Sequence, residues 1–177
     1  EKLAERVQNL MEASADREIF LAGIYRAIGE REKEIEHLLK AWDLAKTKDA
    51  KSNTVVELSR AYRETGRPGE AKRWLERALK EGMITPDMEE MAKLELAAVY
   101  GELGEYEKAE KIYGSMKGSR EALMQYAELL RRAGNMEKLK KLAEMYGPES
   151  EEGFAIRDAL CATLEAKGRF DEAIQFL

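Results

Sequence analysis

The chain has 177 residues, 37% of them charged, with a net charge of −5 and a pI near 5.3. Its mildly acidic, interspersed charges argue against a nucleic-acid binder, which would show a net basic face. With Cys161 its one cysteine and His37 its one histidine, it excludes an internal disulfide and a zinc site built from Cys and His, and it has no run of about 18 apolar residues to cross a membrane. Only three prolines occur and glycine serves mostly as punctuation, which favours an all-helical protein. Glu, Lys and Arg abound while Asn and Gln are scarce, a thermophile-like composition. The opening Glu1-Lys-Leu-Ala-Glu-Arg6 lacks an apolar signal core, so a cytoplasmic location is expected.

Residues 1–13 are predicted to form a helix with Leu3, Val7, Leu10 and Met11 on its apolar face. Ser14 or Asp16 caps the next, which runs to about Ala27. Its mate runs from about Glu30 to Lys46, and residues 47–52 read as a loop. A helix over 52–65 leads to the turn Arg67-Pro-Gly69. Pro68 enters the following helix, 69–81, near its first turn, where a missing N–H is harmless. Thr85-Pro86-Asp87 is a helix start with a hydroxyl cap, an early proline and an early acid, opening helices over 86–103 and 106–117. Gly118-Ser119 stops one helix and caps the next, giving 120–133 and 136–146. Gly147-Pro148 breaks the pattern, and a last pair begins near Glu149 and turns at Gly168.

The turn glycines Gly29, Gly66, Gly104, Gly134 and Gly168 lie roughly 30 to 38 residues apart, a repeat period. Seven residues before each stands a small residue: Ala22, Ser59, Ala97, Ala127, Cys161. One position earlier stands a large one: Leu21, Leu58, Leu96, Tyr126, Leu160. Four before the glycine come Tyr25, Tyr62, Tyr100, Leu130 and Leu164. Five after it come Ala71, Ala109, Leu139 and Ala173, with Glu34 departing in the first unit. Nine after it come Leu38, Leu75, Tyr113, Ala143 and Leu177. Small and large residues alternate this way when two antiparallel helices interlock.

This pattern resembles the tetratricopeptide repeat (TPR), a helix–turn–helix unit of about 34 residues. The resemblance covers nearly the whole chain and implies an all-α, right-handed superhelical solenoid of antiparallel helix hairpins. The expected organisation of 1–177 is a single array. Residues 1–13 form the orphan second helix of a preceding unit, followed by repeat units 14–47, 52–82, 85–117, 119–147 and 149–177, the last truncated. Both ends then fall inside repeat units, as in a fragment of a longer protein, and the exposed ends invite further repeats or end-to-end association.

No catalytic set is legible. Cys161 holds a small-residue position and reads as a packed thiol. His37 and the acidic run Glu30–Glu36 read as a solvated face. Glu107 with Lys111 and Glu137 with Lys141 are spaced as i,i+4 pairs. Trp42 and Trp74 read as packing residues, while Met83, Met88 and Met91 cluster where an adaptable binding surface could form. Neither an enzyme, nor a cofactor, nor a metal is expected.

In TPR proteins the first helices line a concave groove that takes a peptide, an extended segment or a partner helix. The resemblance places an apolar row there (Ile19, Val56, Leu94, Met124) beside an arginine row (Arg26, Arg60, Arg63, Arg131), with Glu128 among them. Such a surface suits a segment with apolar anchors and some acids, unless the arginines balance Glu57, Glu64, Glu95 and Glu128. The Lys and Asn positions of the chaperone-tail clamp hold Ile19, Gly23, Val56, Arg60, Leu94 and Ala98 across the registers, so that specialisation is not expected. The expected function is a protein–protein interaction scaffold, whose partner is another protein or peptide. The alternatives are a self-associating homo-oligomer and, less favoured by the acidic pI, an RNA-binding helical repeat.

Overall fold

The structure, a computed structural model, describes residues 2–10, 12–116, 118–146 and 149–176. The described residues form eleven helices. They are α1 (Lys2–Leu10), α2 (Ala15–Ala27), α3 (Arg31–Leu44), α4 (Lys48–Glu64), α5 (Pro68–Lys80), α6 (Pro86–Glu102), α7 (Tyr106–Ser115), α8 (Arg120–Arg132), α9 (Met136–Met145), α10 (Glu151–Ala166) and α11 (Phe170–Ile174). They fall into two compact units, residues 1–103 and 104–177.

Polar caps set the helix starts. Ser14 accepts from the Arg17 N–H (3.1 Å), Thr47 from Ala50 (3.2 Å) and Ser150 from Gly153 (3.0 Å), each satisfying an orphan donor of a first turn. The Thr47 cap corrects one expectation: residues 48–52 are not loop but the first turns of α4. Thr85 corrects another. Its hydroxyl makes no cap bond; instead its N–H donates to Ser52 Oγ at 2.8 Å. That oxygen also lies 2.9 Å from the Lys48 carbonyl and 3.2 Å from the Met83 carbonyl, so buried Ser52 ties the start of α6 to α4. The expected break at Gly147-Pro148, and the positions of Glu1, Met11 and Leu177, lie outside the described residues.

The turns share one geometry. At Gly66 and Gly134 φ is 70° and 68°, a conformation that costs any residue with a Cβ. The N–H after each glycine donates back to the carbonyl four residues before it, Arg67 to Tyr62 and Asn135 to Leu130, the Schellman closure of a helix end.

In the first unit α2 packs on α3 and α4 on α5, while α4 also lies against both α2 and α6. In the second, α8 packs on α9 and α10 on α11, with α10 against α8. Leu21, Leu58, Leu96 and Leu160 are buried, as are the small residues that follow them and Ala71, Ala109 and Ala173. Trp42 meets Trp74 edge-on, ring centroids 5.1 Å apart. On α1 the buried face is Ala4 and Val7, against Leu21 and Tyr25, whereas the expected anchor Leu3 is exposed.

Candidate functional site

Because α2, α4 and α6 lie side by side, residues one turn apart on each meet along a common face. Between them runs a groove of about 480 Å³. Its lining comes from Ile19, Gly23 and Arg26 of α2, Asn53, Val56 and Glu57 of α4, and Met88 and Met91 of α6, with Asp16 at one end and Leu38 beneath. That volume lies within the range of about 300–1,000 Å³ typical of ligand clefts. An adjoining pocket of about 390 Å³ is lined by Arg60, Arg63, Glu64, Glu95 and Glu102.

The arginines of this face are paired with the protein's own acids. Arg26 reaches Glu34 at 2.6 Å and also Glu57. Arg60 lies between Glu57 (3.3 Å) and Glu95 (3.1 Å). Arg63 lies between Glu95 (2.5 Å) and Glu102 (2.6 Å). The result is a ladder, Glu34–Arg26–Glu57–Arg60–Glu95–Arg63–Glu102, that crosses α3, α2, α4 and α6. Burial alone would push the Arg63 guanidinium down; its bond to Glu102 and the charge of Glu95 reverse that and hold it above its ordinary value.

The face thus gathers Ile19, Arg26 and Val56 in one groove and Arg60 and Arg63 in the next, but the apolar row is not one exposed stripe. Val56 is only 1% exposed and forms floor, and Leu94, 5% exposed, is core. Met124, Glu128 and Arg131 lie on α8 in the second unit, Met124 half-buried, the other two exposed and paired with each other at 2.6 Å. Of the acidic stretch of α3, Glu30, Glu32 and Glu36 are exposed as expected, but Glu34 and the neighbouring His37 are not part of a solvated face. Glu34, 1% exposed, is clamped by Arg26 and by Arg31 at 2.7 Å. His37, also buried, sets Nδ1 2.6 Å from Glu18 and stacks on Tyr25 with centroids 5.1 Å apart. A signal for this existed: Glu34, His37, Leu38 and Ala41 are spaced as one helical stripe.

Glu18 is itself buried. Burial raises its carboxyl, but the hydrogen bonds from His37 and Arg17 outweigh that and hold it below the usual 4.5. Cys161 is buried beside the Ala173 carbonyl, and burial pushes its thiol up, away from nucleophilic character. Among the described residues no group of three or more His, Cys, Asp or Glu side chains is placed to hold a metal ion. Nor is any described helix long and apolar enough to cross a membrane. In the second unit a cavity of about 150 Å³ beside Tyr113, Tyr126 and Tyr146 falls well below the usual ligand-cleft size.

Tetratricopeptide repeat family profiles match residues 55–80 and 113–177. The chain belongs to the tetratricopeptide repeat family. Solved TPR structures share its fold. A putative kinesin light chain from Podosopora anserina with nearly identical TPR-like repeats superimposes with a TM-score of 0.67 at 19% identity, over 94% of this chain and 93% of that one. The MamA protein follows with a TM-score of 0.64 at 16% identity, over 94% and 89%. YrrB, described as a TPR protein with an unusual peptide-binding site, gives 0.59 at 18% identity, over 99% and 89%. No curated protein sequence matches the chain. The groove-lining residues Asn53, Met88 and Met91 lie outside the positions counted back from the turn glycines. Only the clustering of the methionines hinted at them.

Proposed function

We propose that this TPR protein is an interaction scaffold that takes a linear segment of a partner protein, extended or helical, in the groove of α2, α4 and α6. The groove itself carries the reading. It has an apolar floor (Val56, Leu38), methionine and isoleucine walls, and polar groups at its rim. Methionines suit it because their flexible, polarisable side chains adapt to different partners. The peptide-binding site of YrrB supports the same use of the fold. A cytoplasmic location belongs to this reading, as does a partner that is neither nucleic acid nor membrane.

Filling the groove tests it. Gly23 sits mid-helix, and a Cβ there would meet nothing within 4 Å. Gly23→Trp keeps the fold, checked by circular dichroism, while occupying the cleft. Proteins captured by the wild type and lost by this variant are the groove's partners; an unchanged set overturns the reading. Self-association is the second reading. Phe170 and Ile174 on α11 are exposed, although Ile35, at the register position of Ile174, is buried on α3. Light scattering against concentration separates the two: a mass constant near 20.1 kDa leaves the scaffold reading alone.

A further inference from the structure

We infer that the segment bound in this groove is basic, carrying Lys or Arg between its apolar anchors. The inference rests on the groove reading above and adds the partner's charge. Three arginines on the face would suggest an acidic partner. The ladder reverses that expectation. Arg26, Arg60 and Arg63 each have two carboxylates of this chain as partners, so their charge is already balanced. An acidic segment would compete with Glu95 for Arg60 and Arg63. That carboxylate is only 8% exposed, and its ion-pair partners are Arg60 and Arg63. Leaving a buried carboxylate without its counter-ions is costly.

A basic segment breaks nothing. A carboxylate offers about four lone-pair sites and can accept from several donors at once. Glu102 accepts from Arg63, and exposed Glu64 pairs with Arg31. Asp16, at the mouth of the groove, enters no ion pair among the described residues. The groove and the adjoining pocket together present Asp16, Glu57, Glu64, Glu95 and Glu102 against Arg26, Arg60 and Arg63, a net negative lining. The chain's overall charge of −5 steers the same class of partner toward it. Leucine- or isoleucine-like anchors would seat on Ile19, Val56, Met88 and Met91, with lysine or arginine reaching the carboxylates on either side.

The test uses two fluorescein-labelled peptides of equal length, leucine at every third position in both. One carries lysine between the leucines, the other glutamate. Anisotropy titrations on the whole chain should show the lysine peptide binding about tenfold tighter or more, with the preference shrinking as salt rises. Asp16→Asn with Glu64→Gln, neither a member of the arginine ladder, should weaken the lysine peptide several-fold. Met91→Ser, neutral and at an exposed position, should weaken it as well. Equal or tighter binding of the glutamate peptide, still lost in Met91→Ser, overturns the basic partner and leaves the groove standing. Binding of neither peptide, or binding indifferent to Met91→Ser, overturns the groove and this inference with it.

Discussion

At the scale of single residues, one hydroxyl is out of place. Ser59 is buried and its Oγ has no hydrogen-bond partner. The same register position holds Ala22, Ala97 and Ala127 in other units. A buried, unpaired polar atom costs about 1–3 kcal/mol, so Ser59→Ala should raise stability by about 1 kcal/mol in urea denaturation. A lower midpoint would mean that the hydroxyl has a partner after all. Glu34 is the second anomaly, a carboxylate where Ala71, Ala109 and Ala173 stand elsewhere. It is tolerated because two arginines clamp it. Glu34→Ala leaves Arg26 with Glu57 and Arg31 with Glu64, so no charge is orphaned. Ala109→Glu puts a carboxylate at a fully buried alanine position, and such an uncompensated charge is the costliest change a core can take. Melting temperatures should rank wild type and Glu34→Ala close together and Ala109→Glu far below.

At the scale of helices, two glycines make opposite demands. Gly134 closes α8 at φ 68°, and alanine there should cost about 1 kcal/mol through backbone strain. Gly23 lies inside α2 with open space around it, so Gly23→Ala should gain about 0.5–1 kcal/mol through helix propensity. Thermal melts of the two variants should shift in opposite directions. The ion-pair ladder acts between helices, which sets it apart from pairs within one helix. Arg63→Ala removes a partner of Glu95 and of Glu102 and loosens α4 from α6; the expected loss is about 1–3 kcal/mol. Arg131→Ala removes an exposed, solvent-screened pair within α8 and should leave the melting temperature nearly unchanged. Equal losses in the two variants would show that the ladder is no more than surface charge.

At the scale of the whole molecule, both units carry carboxyls held below 4.5: Glu18 in the first, Glu110 and Glu172 in the second. Glu172 reaches about 2, through its hydrogen bonds to Arg169 and Lys140. A carboxyl depressed on folding contributes stability that is complete above its unfolded value and lost as pH falls through the folded one. The melting temperature should therefore change little from neutral pH down to about 4.5, then fall steadily toward about pH 2. At the alkaline end, burial and then the bond to Glu110 push the Tyr126 phenol above its ordinary 10. A raised phenol contributes stability that is full below the unfolded value and lost as pH climbs past it, so a second decline is expected above about pH 10. Melting curves across this range check both limbs.

What the chain's sequence determined alone was local. Turn glycines, caps and the spacing of small and large residues are read within one hairpin, and their physics is that of steric fit over a few helical turns. The register at Leu21, Ala22 and Tyr25 could therefore be placed before any coordinates, and so could the four-residue rise from tyrosine to glycine. What only the tertiary structure decided was pairing across helices. Glu34 and His37 look like solvent-facing charge along the sequence, because a charged residue is read as exposed unless its counter-ion is known. For the arginines the sequence offers Glu57, Glu95 and Glu128 as counter-ions without saying which meets which. Counter-ions lie on other helices too, up to 39 residues away for Arg63 and Glu102. Burial of a charge is affordable only where a distant partner arrives, and that arrival is a property of the packed helices.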